Sequence, residues 1–175
     1  MTFAERMIGA ARLDVQAYEE VEADPAATRQ ALAVVVLSSL AAGIGRGGNG
    51  PLVGLIVIAL LSWVIWAGLA YAIGVYLIPE PQTNANIGQM LRTIGFAASP
   101  GILRVFGFIP ILGRLIFAVV SIWLLVTMVV AIRQGLDYKS TLRAVVVCLI
   151  GGFVSLAIVV IFGAMFFISA KSILF

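Results

Sequence analysis

An all-α bundle of membrane-crossing helices is the fold this sequence predicts, and three observations predict it. The chain of 175 residues is 62% hydrophobic and only 11% charged. Its mean hydropathy is +1.15, and long apolar runs fill most of it after residue 30. A soluble domain carries roughly 25% charged residues to cover its surface, so a water-soluble globule is excluded. Within hydrocarbon the backbone must satisfy its own polar groups, which helices of about 20 apolar residues do.

Two units are expected, an N-terminal amphipathic segment over residues 1–24 and a membrane domain over residues 25–175. Residues 2 to 22 have helical periodicity. Thr2 and Glu5 hold the spacing of a capping box, in which each side chain satisfies an orphaned backbone N–H. Phe3, Met7, Ile8, Ala11, Val15, Tyr18 and Val21 then form one apolar stripe opposite Glu5, Arg6, Arg12, Asp14, Glu19, Glu20 and Glu22. A helix of this kind lies on a surface, either the membrane interface, the protein's own helices or a partner.

Asp24 and Pro25 suit a helix start, so the first span is expected from about Ala26 to Ile44. Gly45 to Pro51 reads as a glycine-rich turn, and Leu52 to about Ile78 as a long second span that Pro79, Glu80 and Pro81 stop. From Ala85 to Gly113 the pattern is broken. A short polar-faced helix carrying Asn86, Gln89 and Arg92 runs into Pro100, Gly101, Arg104, Gly107, Pro110 and Gly113. The leading expectation is a kinked third span, and the alternative is a re-entrant hairpin over 94–112 that leaves four crossings. Residues 114 to 132 read as the fourth span, Arg133 to Ser140 as a polar loop, and Thr141 to Ser169 as the fifth span, followed by Lys171.

Five spans with the N-terminus in the cytoplasm put Arg6, Arg12, Arg29, Arg92, Arg133, Lys139 and Arg143 inside and Arg46, Arg104, Arg114 and Lys171 outside. That excess matches the preference of cytoplasmic loops for Lys and Arg. The basic residues are scattered over connecting segments, so the formal charge of +3 points to topology and not to nucleic acid.

No histidine is present and Cys148 is the single cysteine, which removes imidazole chemistry, thiolate clusters and an intramolecular disulfide. No nucleophile is paired with a base, so no catalytic residue, cofactor or metal ligand is expected and the chain reads as a non-enzyme. Arg104 is the candidate intramembrane polar site, since an ionisable group at membrane depth is by default functional, although its closeness to the end of its span also lets it reach the headgroups. Ala70 with Gly74, and Gly151 with Ser155, have the small-residue spacing that lets helices approach closely. Trp63, Trp66 and Trp123 lie within their spans and away from the interfaces, where aromatic belts form. With Phe3 and Met7 of the amphipathic stripe, they are the candidate packing or partner contacts.

The second half carries an ordered series of features. Leu91, Arg92 and Gly95 open a helix, Ser99 and Pro100 kink it, and Pro110 with Gly113 form a turn. Ile122 and Trp123 lie in a span that leaves through Ala131, Ile132, Arg133 and Gln134 before the basic loop to Thr141, Leu142, Arg143 and Ala144. In this order, over roughly residues 30 to 165, the chain resembles the Yip1 domain family in its bacterial form. The resemblance implies a five-span domain with a cytoplasmic N-terminus, in a bacterial cytoplasmic membrane, and partnership with membrane lipids and with other membrane subunits or copies of itself. Eukaryotic members bind prenylated Rab GTPases, but the Asp-Leu-Tyr-Gly-Pro element that they carry ahead of the first span is missing here, where only Asp24 and Pro25 stand, so Rab binding is not carried over. The expected role is that of a scaffold, assembly factor or accessory subunit. The alternative is a small transporter or permease built on the broken third span and Arg104.

Overall fold

The computed structural model describes residues 1–48, 52–155 and 157, and the regular elements among them are all helices. The N-terminal segment is two helices, α1 (Phe3–Ala11) and α2 (Val15–Ala23), where one was expected. Thr2 and Glu5 close the anticipated capping box. Leu13 then takes a left-handed conformation at φ 65°, and Asp14 caps α2 by accepting from the Gln16 N–H. A Cβ at Gly9 would lie 2.6 Å from that of Ala17, so glycine is what lets α2 fold back against α1. The stripe is corrected accordingly: Arg6 and Glu22, expected on the polar face, are buried.

The hairpin docks on the protein's own helices. Tyr18 is fully buried and its hydroxyl donates to the Ala10 carbonyl at 3.1 Å and the Thr127 carbonyl at 3.4 Å. Trp123 donates to the Ala11 carbonyl at 2.8 Å, and Phe3 meets Phe96 edge to face at 6.3 Å.

Three helices are long and apolar enough to cross a membrane: α3 (Ala27–Gly45), α4 (Leu52–Ala72) with its continuation to Leu77, and α6 (Leu112–Gly135). The last turn of α4, Ile73–Leu77, is π-helical. A π turn displaces carbonyls from their usual N–H partners, and the Tyr138 hydroxyl supplies a donor, reaching the Gly74 carbonyl at 2.9 Å and the Ile78 carbonyl at 2.7 Å. An apolar helix α7 occupies Thr141–Ser155. The rest of the fifth expected span, apart from residue 157, lies outside the described residues, as does Lys171.

The third segment is not one kinked helix. It consists of α5 (Ile87–Ala97), capped by a reciprocal Asn86 and Gln89 box, followed by ten residues of 3₁₀ helix, Ser99–Phe108. Pro100 cannot donate to an α-helical ladder, and the turn type changes there. Small residues fix where these pieces run. A Cβ at Gly95 would meet Ala31, one at Gly101 would collide with the Ser38 hydroxyl, and one at Gly45 with the Arg104 carbonyl. These pairings advance together along both segments, so α5 and the 3₁₀ helix run parallel to α3. Helix α6 returns alongside them, with Gly107 against Phe117, Arg104 bonded to Ser121, Thr127 to the Ala97 carbonyl, and Gly135 against Thr93. The core at their junction holds Tyr18, Met90, Phe96, Ile132 and Leu136.

Candidate functional site

The bundle has two charged ends of different chemistry. All eight carboxylates of the sequence fall at Glu5, Asp14, Glu19, Glu20, Glu22, Asp24, Glu80 and Asp137, in the hairpin and in the loops around the ends of α4 and α6. The opposite end carries Arg46, Arg104 and Arg114 with no acidic side chain near them in the sequence.

At that second end the backbone brings two arginines together. Gly45 has no Cβ to block the Arg104 carbonyl, so the 3₁₀ helix abuts the end of α3 where Arg46 caps it. Gly107 in turn leaves space that the Phe117 ring fills. The Arg46 guanidinium lies 5.3 Å from the centre of this ring and that of Arg104 5.6 Å, each within cation–π range. The Arg104 Nη2 donates to the Ser121 hydroxyl at 2.9 Å, which itself donates to the Phe117 carbonyl at 2.7 Å. Arg104 Nε is buried without a hydrogen-bond partner among the described residues. The two arginines stand at the mouth of a cleft of about 380 Å³ between α3 and α4, whose walls include Ser38, Ser39, Leu55, Ser62, Trp66 and Met128. The cleft thus sets two cations and three serine hydroxyls beside apolar and indole surface.

At the first end a polar clamp holds the hairpin. Arg6 contacts Glu20 at 2.8 Å and Asp24 at 2.9 Å and donates to the Gln30 side chain at 3.0 Å. Burial works against its charge, but the two carboxylates more than offset this and hold the guanidinium above its usual range. The N-terminal ammonium and then Arg6 keep Glu20 below the usual carboxylate range. Arg92 donates through Nε to the Val21 and Glu22 carbonyls at 2.9 and 3.2 Å, and through Nη2 to the Glu22 carbonyl. The Glu22 carboxyl accepts from Gln89 at 2.9 Å. Burial first, and then the charge of Asp137, push it up to about 7.

A pH dependence follows from Glu22. Its folded value lies above the usual 4.5, so the folded state keeps a proton that the undocked hairpin has lost, and this contribution is full below pH 4.5 and disappears as pH rises through about 7. Glu20 and Asp24, held low, weaken the fold only at more acidic pH. Hydrogen exchange of residues 3–23, corrected for intrinsic rates, should therefore lose protection between about pH 5 and pH 8. Glu22→Gln should flatten that slope, and an unchanged slope in the variant would assign it elsewhere.

The residues singled out in the sequence are dispersed and turn inward. Arg104 joins the cleft. Trp63 donates to the Leu91 carbonyl at 3.0 Å and Trp66 to the Met128 sulfur at 3.1 Å. Ala70 is buried and Gly74 receives Leu136. Gly151 packs on the Trp66 ring, Ser155 is half-buried on α7, and Met7 packs against the core. Arg46, Phe117 and Ser121 were not recognised as parts of a site, although the lack of any Asp or Glu from residue 25 to residue 79 was a legible sign that Arg46 has no local counter-charge. Glu80, read as a helix stop, accepts from the Lys139 and Ser140 N–H groups at 3.0 and 3.2 Å and so fastens α4 to the start of α7.

The family model described as the Yip1 domain matches residues 14–169. No curated protein and no solved structure matches the chain.

Proposed function

This chain belongs to the Yip1 domain family, and from that premise we propose that it is a non-enzymatic five-span membrane protein serving as a scaffold, assembly factor or accessory subunit. In this reading α5 and the 3₁₀ helix together make the third crossing. Their parallel course beside α3, from Ala31 opposite Gly95 to Gly45 opposite Arg104, supports it. Helix α7 begins the fifth.

The observation that carries the reading is the state of α4. Among the described residues, 11% of its most apolar stretch is buried, against 39% for α3. Val53, Val57, Leu61, Val64 and Ile65 are exposed, and among the described residues Gly68 has nothing within 4 Å of where a Cβ would stand. A glycine on an uncovered membrane helix leaves a notch that admits a second helix at close range. In this reading Gly68 makes the contact, while Ala70 and Gly74 pack within the bundle.

Mild-detergent extraction and size-exclusion chromatography of the full chain test this. Wild type should co-elute with a membrane subunit in fixed stoichiometry, and Gly68→Leu should weaken that association about tenfold, or about 1.4 kcal/mol, with an unchanged melting temperature. Association unaffected by Gly68→Leu would refute the α4 contact.

A further inference from the structure

We propose that the cleft between α3 and α4 holds one anionic phospholipid, with its phosphate on Arg46 and Arg104 and an acyl chain along Trp63 and Trp66. The inference stands on the two arginines and the cleft and does not depend on the α4 contact.

Charge complementarity is the first ground. Arg46 and Arg104 lie against the same Phe117 ring, and among the described residues neither has a carboxylate within ion-pair distance. Arg46 is exposed and Arg104 half-buried with its Nε sealed off; two guanidiniums against one ring repel each other, and an anion between them relieves that repulsion. The protein offers none of its side chains: every Asp and Glu belongs to the hairpin or to the loops at Glu80 and Asp137. A phosphate suits the planar fork of a guanidinium, which can present two N–H groups to two oxygens.

The shape of the cleft selects the rest of the ligand. Its wall follows α3 from Val35 to Arg46, about 16 Å at the helical rise, with its charged residues Arg46 and Arg104 and with apolar and indole surface from Leu55, Ile58, Trp63 and Trp66. Ser38, Ser39 and Ser62 add hydroxyls along the same slot. An elongated apolar slot with cations at one end matches a lipid, whereas a free inorganic anion would use only the end. Arginines that merely reach toward bulk headgroups have no need of a shared ring or of an Nε sealed from solvent, and Arg104 has both.

Native mass spectrometry of the full chain in detergent, titrated with phosphatidylglycerol or phosphatidylcholine of equal chain length, tests the assignment. Wild type should retain one phosphatidylglycerol per chain with about tenfold preference over phosphatidylcholine. The double variant Arg46→Gln, Arg104→Gln should lose that preference, and Arg114→Gln should keep it. Ser62→Phe leaves both charges in place and fills the exposed wall of the slot; it too should lose the lipid, and it decides the matter if the double variant does not fold. Equal retention of the two lipids by wild type would overturn the proposal, as would a preference that survives Ser62→Phe. Displacement of the lipid by excess inorganic phosphate, with phosphate binding intact in Ser62→Phe, would reassign the site to the free anion.

Discussion

Gly45→Ala is expected to destabilise the protein by about 3 kcal/mol or more, at the upper end of what overpacking costs. A Cβ there would collide with the Arg104 carbonyl, with the Gly107 Cα 3.4 Å away. Both obstacles are backbone. A flexible side chain can swing aside, but here the whole 3₁₀ helix has to move away from α3, taking Arg104 from beside Arg46. Gly152→Ala is the fitting control, since among the described residues a Cβ there meets nothing within 4 Å and alanine favours a helix by about 1 kcal/mol over glycine. Thermal unfolding in one detergent should separate the two variants clearly. A Gly45→Ala protein as stable as wild type would mean that α3 and the 3₁₀ helix are not in contact there.

Tyr18→Ala should cost a similar amount, about 3 to 5 kcal/mol, the range for emptying a buried aromatic site. Tyr18 is fully buried where α2 meets α1 and α6, and the stacked hairpin leaves little freedom to close the gap. Tyr18→Phe preserves the ring and removes only the hydroxyl, so it should cost about 1 kcal/mol. The larger substitution should release residues 3–23 to fast hydrogen exchange while α3 and α6 remain protected. If exchange stays slow, the hairpin is held by the Arg6 and Arg92 clamp alone. Either way, removal of residues 1–24 would strip Arg92 of the carbonyls of Val21 and Glu22 and uncover the surface of α5 on which α2 lies. Through these contacts and the Trp123 bond to Ala11 the hairpin docks on α5 and α6, so its removal should lower the melting temperature of the bundle.

Long apolar runs made α3, α4 and α6 legible because hydrocarbon imposes a minimum length that few other structures share. The capping box at Thr2 was equally local and equally visible. The break at Leu13 was not: a leucine gives no sign of a left-handed turn, and its cause lies in Gly9 meeting Ala17 and in Asp14 starting a new helix. For the third segment, Pro100 and the glycines marked an interruption, but the parallel course depends on pairs such as Ala31 with Gly95, which are separated in sequence and join only in the packed bundle. The cleft was hidden for the same reason. Arg104 stood out alone by its position, whereas Arg46 and Phe117 acquire meaning from one shared ring.

The 3₁₀ helix also makes the third segment a reserve of length. Ten residues, Ser99–Phe108, are wound in this form, and at about 2.0 Å per residue they extend roughly 20 Å, against about 15 Å for the same residues in α-helical form. Rewinding would draw the Phe108 end of this helix back by about 5 Å, close to one α-helical pitch, and Arg104 by about half of that, shifting its register against α3 and α6. The glycines that now meet carbonyls and side chains at close range would no longer be opposite them. The stretched winding and the spacing of Gly95, Gly101 and Gly107 are therefore two halves of one ruler, and neither can change without the other.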